Sequence, residues 1–184
     1  MKRNIVLMLG FVLVACSSLL TYAPPYYSVS PDNTAMLKKL SAGNISVGAF
    51  TRTAELDNDC GITAGSIRMP GKLSFEGYIQ KGFVDELKHA GMLDNETPKI
   101  TLSGVVEQLS LFSRRDIYTS TWNIGLRVNS SNGKSVHVTY QYNFDVGAGS
   151  RADCQRIADA YMPAAQKIIG KIIDSPEFLF LVTP

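Results

Sequence analysis

The chain has 184 residues, 45% of them hydrophobic, with 18 lysines and arginines against 16 aspartates and glutamates. That length suits one domain with a real hydrophobic core. A near-balanced charge, with Lys38-Lys39 and Arg114-Arg115 as the closest basic pairs, argues against a phosphate-tracking surface and hence against a nucleic-acid partner.

At the N-terminus Lys2 and Arg3 precede the apolar run from Ile5 to Val14, the layout of a secretory signal. The run is too short to cross a bilayer, which takes roughly 20 mostly apolar residues, and it passes at Cys16 into Ser17 and Ser18. Leu13-Val14-Ala15-Cys16 resembles a lipobox, in which a branched residue and two small ones direct lipidation of the cysteine and cleavage before it. The alternative is an ordinary signal peptide with a chance cysteine. The expectation is a signal peptide over 1–15 and a lipid anchor, palmitate included, on Cys16. Ser17 in place of an aspartate resembles the default for the outer membrane of a two-membrane host, which puts the chain on its periplasmic face. Cleavage would remove two of the 18 basic residues and none of the 16 acidic ones, leaving a formally neutral chain.

Residues 16–43 read as the lipidated cysteine and a tether, broken by Pro24-Pro25, Tyr26-Tyr27 and Pro31 before a short helix through Thr34 to Leu40. The tyrosines either dock a partner or lie on the domain's own surface. One domain spans 44–184. Ile45, Val47 and Ala49 alternate with polar or small neighbours, a half-buried strand over Asn44 to Phe50. Thr51 to Gly71 reads as a loop holding Cys60. Ser74 stands at an N-cap, and Phe75, Ile79, Phe83, Leu87 and Ala90 mark one face of a helix that Gly91 stops. Gly77 and Gly82 inside it suggest close approach to the sheet.

Three strands follow. Lys99 to Phe112 begins with Ile100 and Leu102 inward and changes phase around Val105-Val106, as a β-bulge would cause. Trp122, Ile124, Leu126 and Val128 share one side of the next strand, and Val136, Val138, Tyr140, Tyr142 and Phe144 repeat the pattern after Ser130-Ser131-Asn132-Gly133, a hairpin signal. A last helix, capped by Ser150, carries Ile157, Tyr161, Ala164, Ile168 and Ile172. Pro163 should kink or divide it, and Pro176 should end it. Phe178 to Val182 is apolar enough for a final strand or a cover over an open sheet edge. The order β-α-β-β-β-α predicts an α+β fold, an antiparallel-rich sheet with two helices packed on one face.

In an oxidising compartment Cys60 and Cys154 are expected to pair as a disulfide, two free thiols or a metal pair being the alternatives. No nucleophile elbow, phosphate loop or zinc-protease motif occurs. His89 sits where it could satisfy helix-end carbonyls and His137 on the polar face of a strand. Glu76, Asp85 and Glu86, with Lys81 and Lys88, read as a charged outer helix face. Asp57 and Asp59 flank Cys60 without the ligand series that calcium needs. The expectation is a non-enzymatic chain with no cofactor and no metal.

The lipobox and strand order together resemble the small proteobacterial outer-membrane lipoproteins of lipopolysaccharide assembly and lipid-transport auxiliaries. Within that group Trp122 on its strand, the Ser130 to Gly133 hairpin, Cys154, Pro163 and Phe178 resemble the layout of uncharacterised members. The resemblance implies no catalytic residue. The functional expectation is a lipid-anchored envelope accessory that binds a partner in an outer-membrane assembly or transport complex, through Asn123, Arg127, His137, Gln141 and Asn143. A periplasmic lipid- or glycan-binding module is the alternative. A pore component of the curli-secretion type would need a further pair of alternating segments of about 10 residues, which are not found.

Overall fold

The computed structural model describes residues 20–40, 42–56, 60, 65–113, 119–147 and 150–184, with 150–152 described by backbone alone. Cys16, Asp57, Asp59 and Arg114-Arg115 lie outside the described residues. In chain order the elements are β1 (Leu20–Tyr22), α1 (Pro31–Leu37), β2 (Ile45–Arg52), β3 (Gly65–Ile67), α2 (Phe75–Ala90) and β4 (Ile100–Ser113). Then come β5 (Thr119–Ser130), β6 (Ser135–Asp145), α3 (Ser150–Asp159), α4 (Tyr161–Ile173) and α5 (Phe178–Val182).

The main sheet has the order β2-β4-β5-β6, and a separate parallel pair joins β1 to β3. β2 runs parallel to β4, as the intervening α2 crossover requires, while β4, β5 and β6 are antiparallel neighbours. Apart from β1, α1, β3 and α5, the observed order is the expected β-α-β-β-β-α, and the mixed α+β class holds. Ser74 caps α2 by accepting a hydrogen bond from the Gly77 amide, and Gly91 ends it at φ 76°. The phase change in β4 is a register shift between Val106 and Gln108, which makes Glu107 the extra residue of a bulge.

The inward sides of β4 and β5 meet α2 and α4 in a single core. Ile100, Leu102, Val106, Leu109, Trp122, Ile124, Leu126 and Val128 are all buried. At its centre the rings of Phe75 and Trp122 each lie 5.1 Å from that of Tyr161. The polar tips within this cluster are satisfied: Trp122 Nε1 donates to the Ile157 carbonyl at 3.0 Å, and the Tyr161 hydroxyl donates to the Phe75 carbonyl at 3.2 Å. Burial, with the charge of Glu76 adding to it, pushes the Tyr161 phenol well above its ordinary range, so it remains a donor.

Several expectations are corrected. The proline-rich stretch assigned to the tether carries β1 and a helix that starts at Pro31, three residues before the predicted one. Ser30 is its N-cap and Pro31 occupies the first helical positions, where a missing amide hydrogen costs nothing. The Thr51 to Gly71 loop contains β3 and a tight helical turn over Pro70–Lys72. The last helix divides at Ala160, ahead of Pro163, into α3 and α4. Phe178–Val182 is a short helix, α5, packed against β5 and β6, which overturns the final strand of the two expectations. The Asn132 amide of the hairpin turn donates to the carbonyls of Phe180 and Thr183, and Ser130 Oγ donates to that of Leu181. The turn thereby latches the C-terminus.

A strap over the helices forms a third layer. Gln155 donates to the Ala23 carbonyl, Tyr78 to that of Pro25 and Gln166 to that of Ser28. The stripe Tyr78, Gly82 and Glu86, four residues apart on α2, faces this strap. Gly82 therefore marks close approach to Tyr27 and not to the sheet: a Cβ there would lie 2.6 Å from the tyrosine ring.

Candidate functional site

The strands of the main sheet alternate by two, so filling one side with the core leaves the other side to polar residues. All five residues singled out in the sequence fall on that outer side. Asn123 pairs with Gln141, Arg127 with His137, and Thr121 with Asn143 across β5 and β6. The structure thus brings the five together in two adjacent columns, with Ser110 and Gln108 of β4 beside Asn123 and Gly125 in the third strand.

The geometry divides this face into two parts. At one end Glu107 accepts from Arg127 Nε at 2.7 Å and from Arg127 Nη2 at 3.2 Å, a two-pronged ion pair. His137 Nε2 stands 3.3 Å from the second Glu107 oxygen. The hydrogen bond from Arg127 holds the Glu107 carboxyl below the ordinary carboxylate range, with the charges of Arg127 and His137 acting in the same direction. The same contact raises Arg127 further. Between this group and Asp145 at the far end of β6 the outward side chains are uncharged. Thr121 Oγ1 donates to Asn143 Oδ1 at 2.7 Å, and Asn123 Nδ2 donates to Ser110 Oγ at 3.4 Å. Gln108, Asn123, Thr139, Tyr140 and Gln141 line a shallow concavity of about 140 Å³. Gly125 sits beside it because a Cβ there would lie 2.9 Å from Cβ of Gln108.

Glu107 was missed in the sequence because strict alternation gives it no distinct place. The signal was present: Val106 and Leu109 both point inward, which leaves two consecutive residues to be accommodated by a bulge. Glu86 was misplaced on a charged outer face. It is fully buried and accepts from the Tyr27 hydroxyl at 2.8 Å, the Ser30 amide at 2.8 Å, Asn33 Nδ2 at 3.2 Å and Thr34 Oγ1 at 3.4 Å. The neighbouring Asp85 does face outward, paired with Lys81 at 2.7 Å.

Cys60 and Cys154 form a disulfide with their Cα atoms 5.6 Å apart. It joins α3 to the segment before β3. Among the described residues no group of three or more His, Cys, Asp and Glu is placed to hold a metal ion, and no helix is long and apolar enough to cross a membrane.

No family model and no curated protein matches the chain. Among solved structures it is similar to a Xanthomonas campestris protein of family DUF330, at 11% identity and a TM-score of 0.48 over 83% of this chain and 94% of that one. It is also similar to a candidate lipoprotein from Caulobacter crescentus, at 16% identity and 0.43 over 77% and 89%. A Helicobacter pylori homologue of a neuraminyllactose-binding hemagglutinin follows at 10% and 0.37, over 76% and 90%. None of the three is named for lipopolysaccharide assembly or lipid transport.

Proposed function

We propose that this protein is a non-enzymatic envelope accessory, anchored by lipid on Cys16 to the periplasmic face of the outer membrane, whose outer sheet face binds a partner protein. The observation that supports this is the face itself. Three strands present amides, hydroxyls and an internally neutralised Glu107–Arg127–His137 group on the side of the sheet opposite the helices. A surface of paired charges and free hydrogen-bonding groups suits polar recognition more than desolvated acid–base chemistry.

The strap changes how such an anchor would act. A flexible tether of 27 residues would allow a root-mean-square reach of about 29 Å. With the chain fixed from Leu20 onward, four peptide steps separate Cys16 from the folded body, at most about 14 Å. The domain would ride close to the membrane.

The polar concavity at Gln108, Asn123, Thr139 and Gln141 favours a second reading, a glycan ligand. The space between the helices and the sheet, where either a lipid or a glycan could otherwise lie, is filled by Tyr78, Phe83, Trp122 and Tyr161, each 1% exposed or less.

Extraction in mild detergent, followed by mass spectrometry of everything that accompanies the protein, tests the proposal. A stoichiometric protein partner lost on Asn123→Arg supports it. A retained glycan without protein moves the assignment to the second reading. Membrane fractionation of Cys16→Ser tests the anchor, and unchanged fractionation overturns it.

A further inference from the structure

β6 is an edge of the main sheet, and its own sequence and register lack the guards that usually keep an edge strand from pairing. Such strands are normally short, bulged, or guarded by lysine or proline. β6 runs eleven residues from Ser135 to Asp145 with an unbroken register against β5. It contains no Lys, Arg, Glu or Pro, and its charged side chains are limited to His137 and the terminal Asp145. Among the described residues no other strand pairs with its far side.

The strand's own sequence specifies what would fit there. Its midpoint is Tyr140. In antiparallel pairing about a two-fold axis at that residue, each position faces one of the same parity, so the inward side meets the inward side. Tyr140 then faces its own copy, Val138 faces Tyr142, and Val136 faces Phe144, which are the aromatic and β-branched cross-strand pairs that stabilise sheets. On the outer side Thr139 faces Gln141, His137 faces Asn143, and Ser135 faces Asp145, with no like charges opposed. Val138, Tyr140, Tyr142 and Phe144 are only half-buried in the single chain, and Tyr142 and Phe144 stack with centroids 6.2 Å apart. A second sheet would cover this residual apolar row.

We infer that β6 pairs with β6 of a second copy of this chain, joining two four-stranded sheets into one of eight strands. The inference goes beyond the accessory role and does not depend on the lipid anchor. It would place two outer faces side by side as one continuous binding surface.

The test is native mass spectrometry of the full lipidated protein in detergent, with two sets of variants. The wild type should be a dimer. Thr139→Lys with Gln141→Lys sets lysines opposite one another across the junction and should return it to a monomer. Because those lysines could instead unfold the strand, a second measurement mixes Thr139→Cys chains with Gln141→Cys chains under mild oxidation. Facing residues in antiparallel strands stand about 4.5–5.5 Å apart at Cα, within disulfide range. The mixture should therefore cross-link severalfold more than either variant alone. A monomeric wild type, a dimer indifferent to the lysines, or equal cross-linking in mixed and unmixed samples overturns the inference.

Discussion

Tyr27 donates its phenolic hydrogen to Glu86 Oε1 at 2.8 Å, across 59 positions of the chain, and that bond buckles the N-terminal strap to the middle of α2. Burial, the charge of Glu86 and the hydrogen bond itself all push the Tyr27 phenol far above its ordinary value, so it stays a donor throughout the physiological range. Tyr27→Phe should cost about 1.5–3 kcal/mol, as for a hydrogen bond to a charged group. Glu86→Ala should cost more, since the Ser30 amide and Asn33 side chain lose an acceptor at the same time. Urea midpoints measure both. Protease cleavage within 22–34 should accelerate before the core opens, and a strap that stays protected in Glu86→Ala would show that packing alone holds it.

Gly82 yields a prediction of sign. At an ordinary interior helix position glycine to alanine gains about 1 kcal/mol. Here the added methyl would meet three Tyr27 ring carbons at 2.6–2.8 Å, and that ring is fixed at its far end by Glu86. Overpacking typically costs about 1–3 kcal/mol. Gly82→Ala should therefore lower the urea midpoint in the wild-type background, and the same substitution in a Tyr27→Ala background should cost less or turn stabilising, a non-additivity that the double-mutant cycle reads directly. A stabilised single variant would mean that the ring can move aside.

The parts of this fold that were legible in the sequence are those set by local pattern. Ser74 and Gly91 bounded α2 because capping chemistry acts within a turn, and Trp122 to Val128 declared an inward face because a strand alternates by two. The strap was not legible. Its holding contacts, from Tyr27 to Glu86 and from Gln166 to Ser28, join positions far apart in the chain, so prolines and tyrosines without periodicity read as a tether. Glu86 was misread for a related reason: on a two-layer picture its side of α2 faces solvent, and only a third layer makes it interior. The outer-face residues Asn123, Arg127, His137, Gln141 and Asn143 fell together because parity alone places them. Their third-strand neighbours depended on a bulge whose position parity could only bracket.

The disulfide acts across the same boundary between local and distant. Cys60 and Cys154 are 94 positions apart, and closing a loop of that length stabilises by on the order of 4–5 kcal/mol in the chain-entropy description. Reduction, or Cys60→Ala with Cys154→Ala, should lower the urea midpoint by a large fraction of the total while leaving the outer-face ion pair intact. Thiol labelling of the native, unreduced protein should find neither cysteine. Full labelling of both would rule the bridge out.

The Glu107–Arg127 pair should give the outer face a measurable acid response. Its carboxyl sits below the ordinary 4.5, first because of the Arg127 hydrogen bond and then because of nearby positive charge. A group depressed in the folded state binds its proton more readily when unfolded. Its stabilising contribution is therefore present above about pH 4.5, and it fades as the pH falls through the lower folded value. Carboxyl carbon NMR should place the Glu107 midpoint below 4.5 in the wild type and move it upward in Arg127→Gln. Because Glu107 is open to solvent, added salt should weaken the part of the shift that comes from charge more than the part that comes from the hydrogen bond. A midpoint that stays low without Arg127 would assign the shift to His137 instead, and would make the histidine the residue that tunes this end of the face.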